Sequence, residues 1–220
     1  MRAGISKRER RGCLAGKPGP KETVLVKCAM AIVPRLETLR LELRPLELDD
    51  ARQTQELFPH WEIVKYLASI VPWPYPEDGA FTHFRDRALP AMERGDAWHW
   101  SLRLKSAADQ LIGGVSLMRE PDNNRGFWLG LAWQRQGLMS EAVEVVTDYW
   151  FNELRFPVLR VHKAIVNTAS RRISEKSGMR VVAVEERDYV SGRLMSEIWE
   201  ITAAEWRARR ASGSGCLGAF

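Results

Sequence analysis

Gly126-Phe-Trp-Leu-Gly-Leu-Ala-Trp-Gln-Arg-Gln-Gly-Leu-Met-Ser-Glu-Ala142 runs an apolar strand through a short polar turn directly into an amphipathic helix. A helix that begins just after Gly137 presents backbone N–H groups with no partner inside the helix, and the positive end of its dipole points at the same place. An anion such as a pyrophosphate is stabilised there. Gly137, having no Cβ, lets the backbone come close to such a ligand, while Gln134, Arg135 and Gln136 add side-chain donors around it. The main-chain amides of Leu138, Met139 and Ser140 complete the cradle.

The two commonest nucleotide loops do not fit. A Walker loop needs Gly, four residues, then Gly-Lys-Ser/Thr, and a dinucleotide fingerprint needs three glycines in six residues with an acidic residue about twenty further on. Neither pattern occurs in the chain.

Outward from the turn, the order of elements is legible. Residues 38–44 alternate apolar and polar as a half-buried strand, stopped by Pro45. Asp49 or Asp50 can cap a helix, and a second helix is expected over residues 78–95. Trp98, Trp100, Leu102 and Leu104 alternate with polar neighbours, and residues 106–110 are read as the turn into a strand over 111–118. The next strand is read over 127–131. The helix after Gly137 carries Val143, Val146, Tyr149 and Trp150 at core-facing spacing. A β-rich run over 158–166, a helix from Thr168 to a cap at Gly178, and a hairpin around Ser191-Gly192 close the domain. This order implies a mixed α/β layer arrangement with helices on both faces of one sheet.

Gln134-x-x-Gly137-x-Met139-Ser140-Glu141-Ala142, taken with Asn167-Thr-Ala-Ser-Arg-Arg-Ile-Ser-Glu-Lys-Ser-Gly-Met179, resembles the acetyl-CoA site of the GNAT N-acetyltransferases. Within them it is most similar to the ribosomal-protein N-terminal acetyltransferases of the RimJ/RimL type, over about residues 36–206. The resemblance implies a single GNAT-like domain of mixed α/β class, with a mostly antiparallel central sheet, helices on both faces and a splayed strand pair holding acetyl-CoA. It implies backbone contacts from Leu129 and Leu131 to the pantetheine arm, a second anchor at Asn167, and further contacts from Ser170 and Lys176, the latter to a CoA phosphate. Taken singly, Gly137 also suits a plain tight turn and Asn167 a plain helix cap. The activity implied is acetyl transfer to a primary amine, a protein or peptide N-terminal α-amine first. A small-molecule acetyltransferase acting on an aminoglycoside, polyamine or amino acid is the alternative within the class, and a non-catalytic CoA-binding module the alternative outside it.

The catalytic groups are less defined. Many GNAT enzymes carry a Tyr general acid in the helix after the Asn, and Ser174 stands at that position, so Ser174, a bound water or the CoA thiol itself remain as proton donors. Arg135 replaces a glycine common in the turn, and Met139 a small residue. Candidates for the general base are His99 and Glu120, with Asp122 and Glu185 behind them. His99, opposite the Trp98/Trp100 face, also suits a solvated or helix-facing strand position, and Glu120 a simple strand end. An α-amine with pKa about 8 is more readily neutral than a lysine near 10.4, a difference of roughly 3.3 kcal/mol. A site with no dedicated base therefore favours N-termini and other easily deprotonated amines. Trp98 and Trp100 fit core packing, whereas Trp73 and Tyr75, in a Pro-rich loop, are candidates for an acceptor wall.

Composition narrows the partners. The net charge of the 220-residue chain is +5, yet residues 1–30 hold eight Lys/Arg against two Glu, leaving 25 basic and 26 acidic residues elsewhere. A near-neutral body argues against nucleic acid as a partner. Cys13, Cys28 and Cys216 lie far apart, which suggests neither a metal site nor a disulfide framework and makes a cytoplasmic location the default. The apolar run over 24–33 contains Lys27 and is too short to span a bilayer. Residues 1–30 are read as a disordered basic extension or a misplaced start before Met30, residues 31–210 as the domain, and 211–220 as a flexible tail. The domain is expected to act as a monomer or homodimer.

Overall fold

The computed structural model describes residues 33–214, so the expectations for the N-terminal extension and for residues 215–220 lie outside the described residues. Two sheets form the scaffold. The first is antiparallel in the order β1-β2-β3-β4-β5, with β1 Leu36–Glu37, β2 Leu41–Pro45, β3 Ala97–Leu104, β4 Ala107–Met118 and β5 Arg125–Leu129. The second has the order β6-β8-β7, with β6 Val158–Ala164, β7 Arg180–Tyr189 and β8 Gly192–Thr202. The sheet is thus split in two, and the split lies between β5 and β6, where the splayed strand pair is expected.

Helices α1 (Asp50–Leu57), α2 (Trp61–Val64), α3 (Gly79–His83) and α4 (Leu89–Arg94) precede β3, with a π-helical turn over Phe84–Ala88 joining α3 to α4. Gly95 ends this unit in the left-handed conformation. Helix α5 (Leu138–Asp148) follows β5, α6 (Thr168–Lys176) follows β6, and α7 (Ala203–Ser214) closes the described chain.

The core lies under α5. Val143 and Val146 belong to one buried cluster with Trp98, Trp100, Leu102 and Ile112 of the first sheet and Leu159, Val161 and Ile201 of the second. One apolar helix face thereby covers both sheets across their gap. Trp150 stacks on Phe156 at 4.0 Å and meets Trp98 edge-on at 6.4 Å, so the two tryptophans of β3 are core residues.

Three sequence expectations are corrected. The turn before β4 occupies Lys105 and Ser106, because β4 starts at Ala107 and its early part is held by α1: Gln53 Nε2 donates to Asp109 O and Leu111 N–H donates to Gln53 Oε1. Strand β5 ends at Leu129, and Leu131 begins a 3-10 turn instead of extending the strand. Residues 211–214, read as tail, belong to α7, which starts on a reciprocal cap in which Glu205 Oε2 accepts from Thr202 N–H and Thr202 Oγ1 accepts from Glu205 N–H. Trp206 anchors α7 by donating to Asp148 of α5 at 2.8 Å.

Candidate active site

Strands β5 and β6 touch at one end only. Asn124 N–H donates to Arg160 O at 2.7 Å, and Arg160 N–H donates back to Asn124 Oδ1 at 2.8 Å. Beyond this junction the two strands run in the same direction but pair with each other nowhere among the described residues, so they splay. The parity of β5 is fixed on its other side, where Gly130 N–H donates to Ile112 O. In an antiparallel ladder this turns the backbone groups of Phe127 and Leu129 away from β4, toward the open gap. Leu129 O is already taken there by Gln134 Nε2 at 2.9 Å, which leaves the Leu129 N–H as the donor.

The gap widens into a cleft of about 760 Å³. Its floor at one end is the start of α5. Gly137 caps this helix at φ +80, ψ −4 with no side-chain cap, while the Leu138 and Met139 side chains are buried in the core. What α5 offers the cleft is therefore main chain: three N–H groups, of Leu138, Met139 and Ser140, ahead of the first intrahelical bond from Glu141 to Gly137. Arg135, also left-handed at φ 64, stands exposed beside them. Across the cleft, Asn167 caps α6 through its Oδ1, which accepts from Ser170 N–H at 3.1 Å. Its Nδ2 has no partner among the described residues.

Of the residues expected to hold the ligand, Leu129, Gln134, Arg135, Gly137, Leu138, Met139, Ser140, Asn167, Ser170 and Lys176 line this cleft. Leu131 and Gln136 do not. Leu131 is past the strand end, and Gln136 turns its amide to Ala132 O at 3.0 Å. Seven lysines and arginines line the cleft against one carboxylate, Glu62. That balance suits an anion with several charges.

None of the three catalytic candidates lines the cleft. His99 sits under the α3–α4 layer, 2.6 Å from Ser116 Oγ, and burial pushes its pKa down to about 4, with His83 adding to the effect. Glu120 borders a separate depression of about 260 Å³ beside Trp150 and Arg160. Ser174 is fully buried, and its hydroxyl has no hydrogen-bond partner among the described residues. Trp73 and Tyr75 are also elsewhere: Trp73 packs on Trp61 at 5.5 Å and Tyr75 on Phe58 at 5.1 Å. On this side the cleft is lined by residues 62–68, pinned to the β7–β8 hairpin by Val190 N–H to Leu67 O and Ser191 N–H to Lys65 O.

Four side chains that sequence reasoning did not single out line the cleft between the sheets. Arg125 is buried, donates to Thr147 Oγ1 at 2.8 Å, and has its pKa lowered to about 10 by desolvation. Lys163 is lowered to about 7, again by desolvation and then by Arg125. His162 is lowered by desolvation and Arg187, with Glu185 Oε1 3.6 Å from its Nδ1 opposing. Tyr189 shares a hydrogen bond of 2.6 Å with Ser196. Strand parity could have revealed Lys163, which falls on the same face of β6 as Leu159 and Val161. No group of His, Cys, Asp and Glu among the described residues is arranged to hold a metal, and no helix among them is long and apolar enough to cross a membrane.

A strand pair that splays over an uncapped helix start agrees with what the chain matches. Residues 40–180 match the acetyltransferase (GNAT) domain family. Among curated proteins, the probable N-acetyltransferase YjcK of Bacillus subtilis (strain 168) is 24% identical over 170 residues, covering 72% of this chain and 88% of that protein. Among solved structures, Mycobacterium smegmatis RimJ in complex with CoA-disulfide superposes with a TM-score of 0.68 at 16% identity, covering 83% of this chain and 95% of that one. RimL, a ribosomal L7/L12 alpha-N-protein acetyltransferase in complex with coenzyme A, gives 0.64 at 17% identity, covering 77% and 97%. The chain belongs to the GNAT family of acetyltransferases, and it is an N-acetyltransferase with an amine as acceptor.

Proposed function

We propose that this N-acetyltransferase takes its acetyl group from acetyl-CoA and delivers it to the α-amine of a protein or peptide N-terminus, as RimJ/RimL-type enzymes do. The observation that carries this reading is the divergence of β5 and β6 over the free amides of α5, inside a cleft with seven cationic side chains and one carboxylate. On this reading the N–H groups of Leu138, Met139 and Ser140, with Arg135, hold the pyrophosphate. Lys176 meets an outer phosphate. Asn167 Nδ2, next to Ser170, donates to a pantetheine carbonyl, and Gln134 and Gln136 hold the shape of the turn. The Leu129 N–H, facing the gap, polarises the thioester carbonyl as a preorganised donor.

Acceptor chemistry follows from the opposite wall. A polyamine or aminoglycoside carries several ammonium groups and calls for several carboxylates, and the cleft supplies Glu62 alone. A single α-amine followed by a peptide chain makes no such demand. His162, kept neutral near pH 7 because burial lowers its pKa, lines the cleft and is suited to accept the proton the amine sheds. On this assignment His99, Glu120 and Ser174 have no direct contact with the reacting atoms.

Calorimetric titration with CoA, followed by thiol release from acetyl-CoA with N-terminal peptides, polyamines and aminoglycosides, tests the reading. Release with peptides is the expected result. Release only with polyamines or aminoglycosides would move the assignment to small-molecule acetylation, and tight CoA binding without release from any acceptor would favour a non-catalytic module.

A further inference from the structure

We propose that Lys163 is the proton donor to the sulfur that leaves during acetyl transfer, an assignment that rests on the acyl-CoA reading of the cleft. Lys163 is the third residue on the inward parity of β6, after Leu159 and Val161, and only 8% of it is exposed. A lysine in that register is rare without a carboxylate partner, because an unpaired buried ammonium is strongly disfavoured.

No such partner is present among the described residues. Its cross-strand neighbour on β8 is Glu197, but that carboxylate is claimed by Arg171 of α6 through two bonds of 2.8 and 2.9 Å and by Trp199 Nε1 at 3.0 Å. From β5 the charged neighbour is Arg125, which repels it. Ser170 of α6, which lines the same cleft, is neutral. The Lys163 ammonium rests over the Phe127 ring of β5 at 4.5 Å, so the side chain reaches from one splayed strand to the other. It also lines the cleft.

This location answers a vacancy noted in the sequence. The family's usual acid on α6 is replaced by Ser174, whose hydroxyl is buried and lines no part of the cleft. Lys163 enters the same gap from β6. Burial brings its pKa to about 7, so near neutral pH a large share is protonated and able to donate. An alkyl thiol has a pKa of about 8.5, so transfer to a thiolate is downhill.

The step balances without a further reagent. As the acceptor nitrogen bonds to the carbonyl carbon and the C–S bond breaks, the sulfur keeps the bonding pair. Lys163 Nζ supplies the proton that makes it a thiol. The acceptor nitrogen loses its proton to His162 or solvent, and Lys163 is recharged from solvent before the next turnover.

The test reads the bound thiol directly and needs no acceptor. CoA is titrated calorimetrically into wild type and Lys163→Met, and the thiolate absorbance of the bound CoA is then followed against pH in both. Methionine fills the same apolar slot, so the variant should fold and melt at or above the wild-type temperature. The expected result is comparable CoA binding, with the bound thiol ionising about tenfold less readily in the variant at a given pH. A peptide-acceptor assay should then show kcat lowered with KM for the peptide little changed. Equal CoA binding with an unmoved thiol titration would overturn the role of Lys163 alone. Absence of CoA binding by wild type would remove the acyl-CoA reading beneath it. Stoichiometric acetylation of Lys163 by acetyl-CoA, read by peptide mass spectrometry, would also overturn it, by making the lysine an acceptor.

Discussion

Arg40 grips Glu141 twice: its backbone N–H donates to Oε1 at 2.8 Å and its guanidinium Nε donates to Oε2 at 2.9 Å. A second arm of the same guanidinium donates to Gln136 O at 3.1 Å, and the Thr38 hydroxyl donates to Oε1. The residue before β2 thus fixes both the turn that carries Gly137 and the first turn of α5, from outside the cleft. Arg40 is 45% exposed on its side chain, so the ion pair itself adds little stability, on the order of 0.2–1 kcal/mol. The expected effect is on the ligand. Arg40→Ala should lower the melting temperature by only a degree or two while weakening CoA binding by roughly fivefold, about 1 kcal/mol, through a loosened turn. Calorimetry beside a thermal melt would separate the two effects.

Gly137 holds φ at +80, where a Cβ is strained, although an added Cβ would meet nothing nearer than an Arg40 nitrogen at 3.5 Å. The constraint is therefore backbone conformation and not crowding. Gly137→Ala should cost about 1–2 kcal/mol of stability, and Gly137→Asn less, because Asn visits the left-handed region more readily. Both substitutions add side-chain atoms beside the proposed phosphate position and should weaken CoA binding, which chemical denaturation and calorimetry on the same samples would measure.

His99 makes a prediction about pH and not about catalysis. Its pKa falls from 6.5 to about 4 on folding, because burial disfavours the charged ring. Between those values the unfolded chain binds the extra proton, so stability is fully present above about pH 6.5 and is lost as pH drops toward 4. The loss attributable to this group is on the order of 3 kcal/mol. His99→Gln, which retains a partner for Ser116, should flatten that part of the stability profile, and acetyl transfer at neutral pH should remain within about twofold of wild type. Denaturant midpoints at pH 5 and 7 would show it.

What was legible in the sequence was local. Alternation located β3 with its two buried tryptophans, and the polar turn before an amphipathic helix located the amides of α5. Those signals need only neighbours in sequence. The reach of Arg40 to Glu141 spans 101 residues, and residues 62–68 are held by the distant β7–β8 hairpin, so neither leaves a local trace. Two signals were present and passed unread. Thr202 and Glu205 have capping-box spacing ahead of α7, and Lys163 falls on the apolar parity of β6.

Asn167 combines two duties that one substitution can separate. Its Oδ1 caps α6 by accepting from Ser170 N–H, while Nδ2 has no partner among the described residues and is the donor proposed for the pantetheine. Asn167→Asp keeps the acceptor and adds a negative charge at a helix N-terminus, where it is favourable, so the melting temperature should hold or rise slightly. The same change removes the Nδ2 donor and puts an anion where a pantetheine carbonyl is proposed to lie, so CoA binding should fall by at least tenfold. Asn167→Ala loses both functions and should also lower stability by about 1 kcal/mol. A thermal melt and a CoA titration on the two variants decide the matter. If the Asp variant melts like wild type and still binds CoA with wild-type affinity, Asn167 is a helix cap and no more.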